Sequence, residues 1–392
     1  MNKTTPEALF ADFETTAAEH FRLHFFGAVL VCIEHAAACA ESFETALERF
    51  PFLAGYNNEL AERLAGLSLY EAFARWCAAL EAWEVRAAGH LPLRALRKSL
   101  GVDMAGIMCL FSVGLVEEDA RFGVLFETLQ GLPGQRRPLA GLLRQCWREH
   151  LSGNDLSRLL RHARAAGVIV AAEADGAQHD PALRIPPGMW EALRGDTIGT
   201  PLPWAHWREA DSLAPIGDLI ATPEIRSALA ALPRLFASGE ARVVILRGAR
   251  HNGRRTLLGA LARSMGRGVL ELRGAEKFDE ARWREAATLA GLQNALPVAS
   301  ADLGPGETLT LPEAWPPGMP LAFVLGRQGG VAGGLAADAL TLTLDLPDLE
   351  SRRAHWREAD SLAPIGDLIA TPEIRSALAA LPRLFASGEA RV

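Results

Sequence analysis

Apolar side chains recur at helical spacing through the first 85 residues. They fall into three groups: Phe10, Phe13, Ala17, Phe21 and Phe25; Phe43, Leu47 and Phe50; and Leu69, Phe73, Trp76, Leu80 and Trp83. A spacing of three or four residues predicts α-helices. Proline and glycine interrupt the pattern, so we expect the helices to break near Pro51 and Gly66.

The next hundred residues alternate short periodic runs with loops. Short amphipathic helices are predicted at 91–101, 103–115, 138–150 and 154–167. We expect the last of them to open on an Asn/Asp cap and to close on Gly167. A strand over 168–175, a turn at Gly176 and a strand over 182–186 follow. Helix, strand, wing and strand is the order of a winged-helix module.

From Arg242 onward the hydrophobic pattern changes to short β-rich runs. They cover 242–247, 268–272, 297–301, 320–325 and 340–346. Helical patterns at 255–265 and 280–293 separate the first three runs. Strands that alternate with helices predict a parallel sheet with helices on both faces, a three-layer α/β core. Before it, residues 205–222 are predicted as a linker and Pro223–Ser238 as a helix.

An internal repeat is the most unusual feature of the chain. Residues 205–243 recur without one change at 354–392. Structural repeats diverge at exposed positions because only their packing positions are constrained. Identity over the whole segment therefore indicates a recent or artificial duplication. We expect the second copy, which no sheet follows, to be held less firmly than the first.

These patterns predict an α+β multidomain protein. Its expected parts are a helical region (1–88), a winged-helix-like domain (89–192), a linker with the first repeat copy (193–241), a nucleotide-binding core without a complete lid (242–353), and the second repeat copy (354–392).

Composition excludes some classes of protein. Apolar residues make up 49% and charged residues 22% of the chain, as in proteins with a sizeable core. The net charge of −7 opposes general attraction to nucleic acid or to anionic lipid. The longest apolar run, Phe25–Ile33, is too short to span a bilayer, and no signal sequence precedes it. A cytoplasmic protein that does not bind membranes is expected.

The five cysteines match no metal-binding or disulfide pattern. All of them, Cys32, Cys39, Cys77, Cys109 and Cys146, fall in the first 150 residues. Their number is odd, and none belongs to a recognisable set of Cys/His ligands. We therefore expect buried free thiols in a reducing compartment.

A glycine-rich loop between the first β-run and its helix is a candidate phosphate-binding site. Gly248 and Gly253 have the spacing of a P-loop, in which backbone N–H groups wrap the phosphates at a helix N-terminus. A P-loop next needs Lys and then a hydroxyl that holds Mg²⁺. Here Arg254 and Arg255 occupy those positions, and Thr256 comes one residue late. Arg keeps the positive charge, but its planar fork is bulkier than an ammonium group.

Two further positions are candidates for the same site. Asp302 ends the third β-run, where an acid would join a metal shell, but no glutamate follows it to orient water. Arg327, after the fourth β-run, stands at a sensor-like position, although a solvated loop arginine is the simpler interpretation. The glycine-rich stretch 326–334 contains no Lys, so a flexible connection is expected there.

The order of these elements resembles that of the AAA+ ATPases, a family of P-loop NTPases. The resemblance rests on the strand at 242–247, the loop GARHNGRRT, the Asp302 strand, the run PLAFVLG and the run LDLPDLESRRAHW. More narrowly, LPLRAL and GLVEEDARFG before such a core are similar to the AAA+ ATPases of bacterial contractile injection systems. In tandem members of the family a degenerate first module serves assembly, and the chain resembles the N-terminal portion of such a protein.

The resemblance implies ATP and Mg²⁺ as cofactors. It implies nucleotide contacts from the loop and an acid for the metal: Gly248, Asn252, Gly253, Arg254, Arg255, Thr256 and Asp302. The two arginines, the missing glutamate and the missing lid depart from the family pattern. The implied function is therefore assembly or protein remodelling, through self-association or protein partners, rather than hydrolysis. Two alternatives stay open, a winged-helix nucleic-acid-binding regulator and a scaffold that binds no nucleotide.

The winged-helix region generates a first prediction. Its second long helix carries Arg158, Arg161, His162 and Arg164, but acids fill the wing and residues 1–65 have a net charge of −6. These acids oppose the counterion release that supplies non-specific affinity for DNA. We expect binding to duplex DNA to be weaker than about 1 μM near physiological salt. A fluorescence anisotropy titration that gave tighter binding would contradict this.

Overall fold

A computed structural model describes residues 6–64, 66–172, 180–196, 202–219, 221–250 and 252–345. The end of the predicted core and the second repeat copy, residues 346–392, lie outside the described residues, as does most of the predicted wing. The expectations about the lid and about the second copy concern those residues only.

The described chain up to Cys146 consists of helices and the connections between them. The helices are α1 (Pro6–Leu9), α2 (Ala17–Ala38), α3 (Phe43–Arg49), α4 (Phe52–Leu64), α5 (Leu69–Arg86), α6 (Pro92–Leu100), α7 (Met104–Glu118), α8 (Arg121–Gln130) and α9 (Ala140–Cys146). The breaks expected near Pro51 and Gly66 are confirmed. Pro51 separates α3 from α4, and Gly66, with φ of 81°, lies between α4 and α5.

The long helix α2 is the centre of this helical region. It packs against α3, α4, α5, α7 and α9. By length and apolar composition α2 is the one described helix that would reach across a membrane, yet 72% of its apolar window is buried inside the protein. This burial is typical of a core helix whose apolar surface is already covered by its neighbours.

The prediction that 103–115 forms an amphipathic helix is wrong in character. The helix, α7, is present but buried on nearly every side from Met104 to Leu115. It contacts α2, α5, α6, α8 and α10, so no side of it faces solvent over that length. A helix that packs against neighbours on all sides is apolar on all sides. Its sequence therefore lacks the polar face that marks an amphipathic helix.

A helix, two short paired strands and a further helix follow α9. Helix α10 (Gly153–Ala165) leads to β1 (Val170–Ala171), which pairs antiparallel with β2 (Leu183–Arg184), and α11 (Pro187–Arg194) follows. A bridge between Leu139 and Ala182 extends the small sheet. The predicted Asn/Asp cap is wrong: Ser152 caps α10 and accepts a hydrogen bond from the backbone N–H of Asp155 (3.1 Å).

The second half of the chain forms an α/β unit. Its elements are β3 (Ala205–Arg208), α12 (Pro223–Ser238), β4 (Val243–Gly248), α13 (Arg254–Ser264), β5 (Gly268–Leu272), α14 (Glu280–Leu292), β6 (Ala295–Ala301), β7 (Thr308–Thr310), β8 (Leu321–Leu325), β9 (Gly330–Ala332) and β10 (Ala339–Leu344). Six strands make one sheet in the order β10-β4-β8-β6-β5-β3. Neighbouring strands of this sheet run parallel to each other, except that β3 pairs antiparallel with β5. The predicted parallel α/β core is confirmed.

Two details of the α/β unit correct the expectations. The first repeat copy is not only a linker and a helix, because its residues 205–208 form the edge strand β3. The helix predicted at Pro223–Ser238 is α12 as expected. The glycine-rich stretch 326–334 is not a flexible connection, because β9 lies in it and pairs parallel with β7.

Both faces of the sheet are covered. On one face α12 and α13 bring Leu229 and Leu258 against Val244 and Val298. On the other face α14 brings Trp283 against Phe323, in a core that continues into the helical region. Helix α14 is also tied to that region by hydrogen bonds: Thr288 Oγ1 donates to the carbonyl of Ala166 and His90 Nε2 to that of Leu292 (both 2.8 Å).

The cysteines are free, as expected, but they are not all buried. Cys32, Cys109 and Cys146 are buried, Cys77 is half-buried and Cys39 is exposed. Burial raises the pKa of Cys32 and of Cys77 to about 12, so these two thiols stay protonated and unreactive at neutral pH. Cys39 is the exception to the expectation.

Two helical glycines generate a prediction about packing. A Cβ on Gly114 of α7 would lie 2.3 Å from the Trp190 ring, whereas a Cβ on Gly55 of α4 meets nothing within 4 Å. We expect Gly114→Ala to destabilise the protein by about 1–3 kcal/mol through overpacking. Gly55→Ala, the matched control, should stabilise it by about 0.5–1 kcal/mol through helix propensity. Urea unfolding measures both, and equal effects would contradict the packing.

Candidate functional site

The glycine-rich loop lies at the carboxyl edge of the sheet. It leaves β4 at Gly248 and enters α13 at Arg254, and β4 runs between β10 and β8. In open parallel sheets ligands bind in the crevice outside the carboxyl ends of the strands. The strand–loop–helix order expected from the sequence is therefore present, with the loop at the edge that serves for ligand binding in other sheets of this kind.

The two glycines of the loop serve different geometric needs. A Cβ on Gly248 would lie 2.2 Å from Asn252 Nδ2 and 2.6 Å from the carbonyl oxygen of Leu344, so the close approach of β10 requires glycine there. Gly253 has φ of 82°, a left-handed conformation that glycine adopts without strain, and it is the N-cap residue of α13.

Asn252 braces the loop from within. Its Nδ2 donates to the carbonyl of Leu344 at the end of β10 (3.0 Å), and its Oδ1 accepts from Arg254 Nε (2.9 Å). Both ends of this amide are therefore bonded to protein. Predicted as a nucleotide contact, Asn252 has a structural role in the described chain.

Arg254, at the position of the P-loop lysine, is directed into the protein. Its residue is 8% exposed, and its Nη1 donates a short hydrogen bond to the carbonyl of Leu325 at the end of β8. Desolvation lowers the pKa of its guanidinium from the ordinary value, although the group stays charged at neutral pH. The charge is thus held between the end of β8 and the side chain of Asn252 rather than free in solvent.

Arg255 and Asp302 lie on the open side of the loop. Arg255 is exposed, and its Nε donates to Ser300 Oγ on β6 (3.3 Å). Asp302, just past the end of β6, forms an ion pair with Arg250 of the loop (3.1 Å). The structure brings the predicted acid to the loop, but Arg250, which the sequence analysis did not single out, is its partner.

These side chains line one cleft of about 790 Å³. Four arginines and two acids contribute to its wall, which gives the described lining a net charge of +2: Arg250, Arg254, Arg255, Arg273, Glu276 and Asp302. Sequence reasoning missed Arg273 and Ser300. The signal that would have found them is position, because both lie near the carboxyl ends of predicted strands, and these ends meet at one edge.

Two residues considered in the sequence are not part of this cleft. Arg327 is exposed and pairs with Asp345 (3.3 Å), outside the described lining of the cleft. Glu307, the next acid after Asp302, accepts a hydrogen bond from the backbone N–H of Gly304 (2.7 Å). This hydrogen bond closes a short loop, and Glu307 is not part of the described lining of the cleft. The residue that follows Asp302 is Leu303 rather than a glutamate.

No family model and no curated protein matches this chain. What is known of the fold and of the cleft therefore comes from the geometry of the structure. They define an α/β unit whose fold is consistent with that of nucleotide-binding domains, with a glycine loop at a helix N-terminus and an arginine-rich cleft at the carboxyl edge of a mostly parallel sheet.

The brace formed by Asn252 generates a prediction. Asn252→Ala removes the donor to Leu344 and leaves Arg254 Nε without its acceptor, so we expect a loss of about 1–3 kcal/mol in stability. Thr256→Ala, in the first turn of α13 and exposed, should change stability by less than about 0.5 kcal/mol. Urea unfolding of both variants tests the brace, and similar effects would show that Asn252 does not hold the loop.

Proposed function

We propose that this chain is an AAA+-like nucleotide-binding protein whose core binds ATP without hydrolysing it and serves assembly or remodelling with protein partners in the cytoplasm. The observation that carries the proposal is the loop between Gly248 and Arg254, which opens α13 at the wall of the arginine-rich cleft.

The cleft suits a polyphosphate for three reasons. A helix N-terminus presents free backbone N–H groups and a partial positive charge to an anion. The arginines add full charges, and Arg250, Arg255 and Arg273 are exposed enough to move onto a ligand. The volume of about 790 Å³ falls in the usual range of small-molecule sites.

The same residues argue against hydrolysis. Arg255 stands where a P-loop places the hydroxyl that holds Mg²⁺, and a second cation there repels the metal. Asp302, the acid expected to join a metal shell, is paired with Arg250. Attack by water needs a group that orients the nucleophile, and Glu307 is bonded to Gly304 instead. We infer that Mg²⁺ contributes little to binding and that turnover is negligible.

Nucleic-acid binding by the winged helix is the second candidate, favoured by one observation. Arg161 and Arg164 are exposed on α10, whose opposite side is buried through Leu156 and Leu160. The third basic residue, Arg158, is paired with Asp155 (2.9 Å), which reduces the charge that the helix offers to phosphates. A protein-binding winged helix accounts for this surface better than a DNA-reading one.

A double substitution in the loop tests the proposal. Arg254→Lys with Arg255→Thr supplies a slim cation and a hydroxyl and removes a competing charge. We expect the affinity for Mg-ATP to rise about tenfold or more, roughly 1.4 kcal/mol, while hydrolysis stays negligible. Titration with a fluorescent ATP analogue, with Mg²⁺ and with EDTA, measures the change.

The control applies the same chemistry elsewhere. Arg161→Lys with Arg164→Thr on α10 should leave ATP binding unchanged, since α10 does not line the cleft. Thermal unfolding checks that each variant is folded, because Arg254→Lys also alters the bonds to Leu325 and Asn252. If a folded loop variant and the unaltered protein both fail to bind the analogue, the loop is not a phosphate site and a scaffold without nucleotide is the function to accept.

A further inference from the structure

Three side chains of the types that bind metal ions meet in the interior of the helical region. They are distant in sequence from the glycine-rich loop. His20 and His24 lie on α2 and Glu84 lies on α5. Their ligand atoms all fall within 4.8 Å of one another, and the three residues are 0%, 0% and 4% exposed. A spacing of four residues places the two histidines on one face of α2, one turn apart.

His24 carries an unused lone pair. Its Nδ1 is 2.8 Å from the carbonyl oxygen of His20, and since a carbonyl accepts only, Nδ1 is the protonated nitrogen. Nε2 of His24 is therefore an acceptor, and this buried atom has no hydrogen-bond partner in the described chain. A buried acceptor without a partner costs about 1–3 kcal/mol, which calls for an occupant that satisfies it.

The other two groups are held in place for ligation. His20 Nε2 lies 2.9 Å from Glu84 Oε1, and the second carboxylate oxygen, Oε2, accepts a short hydrogen bond from Arg97. The ring of Trp83 stacks on that of His20 with centroids 5.3 Å apart. A metal ligand whose second atom is fixed by a neighbouring group is typical of protein metal sites, and here both His24 and Glu84 have such a partner.

Protonation also favours ligation. Burial lowers the pKa of His20 and lowers that of His24 well below its usual range, so both rings are neutral at neutral pH. Burial acts to raise the pKa of Glu84, but the hydrogen bond and charge of His20 and the charge of Arg97 together lower it. The cluster therefore offers two neutral imidazoles and a carboxylate, the protonation states in which these side chains bind metals.

We propose that His20, His24 and Glu84 form a zinc site that joins α2 to α5. The ligands are His20 Nε2, His24 Nε2 and Glu84 Oε1, a donor set that suits Zn²⁺, with water as the fourth ligand. Donor atoms around tetrahedral zinc lie about 3.4 Å apart, since each bond is about 2.0–2.1 Å. The ligand atoms of the three residues lie within 4.8 Å of one another, so zinc binding draws them closer together. On binding, the proton of the neutral His20 ring moves from Nε2 to Nδ1, which has no hydrogen-bond partner in the described chain, so the imidazole stays neutral and no proton is released.

Metal titration of the whole chain tests this site. We expect the metal-free protein to take up one Zn²⁺ at this site, and its unfolding temperature to rise when zinc is added. Co²⁺ in place of zinc should give ligand-field absorption without a thiolate charge-transfer band, which separates this site from any site made by the cysteines. Absence of both the zinc-dependent rise in unfolding temperature and the Co²⁺ absorption would overturn the proposal.

A variant separates metal binding from simple packing. His24→Leu removes the unsatisfied acceptor, so the metal-free variant should be about as stable as the metal-free parent. It should nevertheless lose at least about 100-fold in zinc affinity and lose the zinc-dependent rise in unfolding temperature. His162→Leu, on the exposed side of α10, is the matched control and should keep both.

Glu84→Gln is the second variant, in case His24→Leu does not fold. It retains an acceptor for Arg97 and loses the anionic ligand, so zinc affinity should again fall at least about 100-fold. Retention of full zinc affinity by either folded variant would show that a buried hydrogen-bonded cluster, with or without a bound water, is all that these residues form. None of these measurements depends on nucleotide binding.

Discussion

The six-stranded sheet needs cover on both faces, and this requirement joins the two halves of the chain. Its strands β4, β6 and β8 are apolar on both sides, as central parallel strands are, and cannot be left in water. Helices α12 and α13 cover one face with elements of the α/β unit itself. The other face has α14, and α14 is in turn covered by α6 and α11 of the preceding regions. On this second face one continuous core results, running from Leu9 to Leu335, whereas the face under α12 and α13 has a core of its own.

The same arrangement decides what happens at the carboxyl edge. Because β8 lies between β4 and β6, its last carbonyl, that of Leu325, is next to the start of α13. Arg254 donates a hydrogen bond to that carbonyl. Its side chain is therefore not free in the way that the lysine of a P-loop is. Asn252 completes the brace by joining the loop to β10. A loop of P-loop spacing is thus held in shape by the side chains of Asn252 and Arg254.

Polar groups in the helical region follow a comparable logic. His20, His24 and Glu84 are buried where α2 and α5 meet, and their hydrogen bonds account for only part of their capacity. Partly satisfied buried polar clusters are costly, because the low dielectric that strengthens each bond also penalises each missing one. The cluster therefore stands out from a region whose other described core side chains are apolar, apart from Ser112.

The local pattern of apolar residues and glycines was sufficient to predict much of the fold of this protein. The period of apolar residues indicated helices in the first 85 residues, although its first group runs across the break between α1 and α2. The β-rich runs with helices between them identified the parallel core, because backbone geometry imposes its period on any segment with one buried face. Glycine spacing between a strand and a helix located the loop. Where a segment is buried on all sides, as α7 is, that signal disappears, and the prediction of an amphipathic helix failed for this reason.

Only the tertiary structure decided which distant groups meet. The edge strand β3 exists because β5 offers it an unpaired edge, and β9 exists because β7 lies beside it. The direction of Arg254, the pairing of Asp302 with Arg250 and the meeting of His20 with Glu84 all depend on contacts between residues separated by 52 to 71 positions. The sequence determined which side chains were available and which elements carried them. Packing of those elements decided their partners, because a side chain's neighbours across a fold leave no periodic trace in the chain itself.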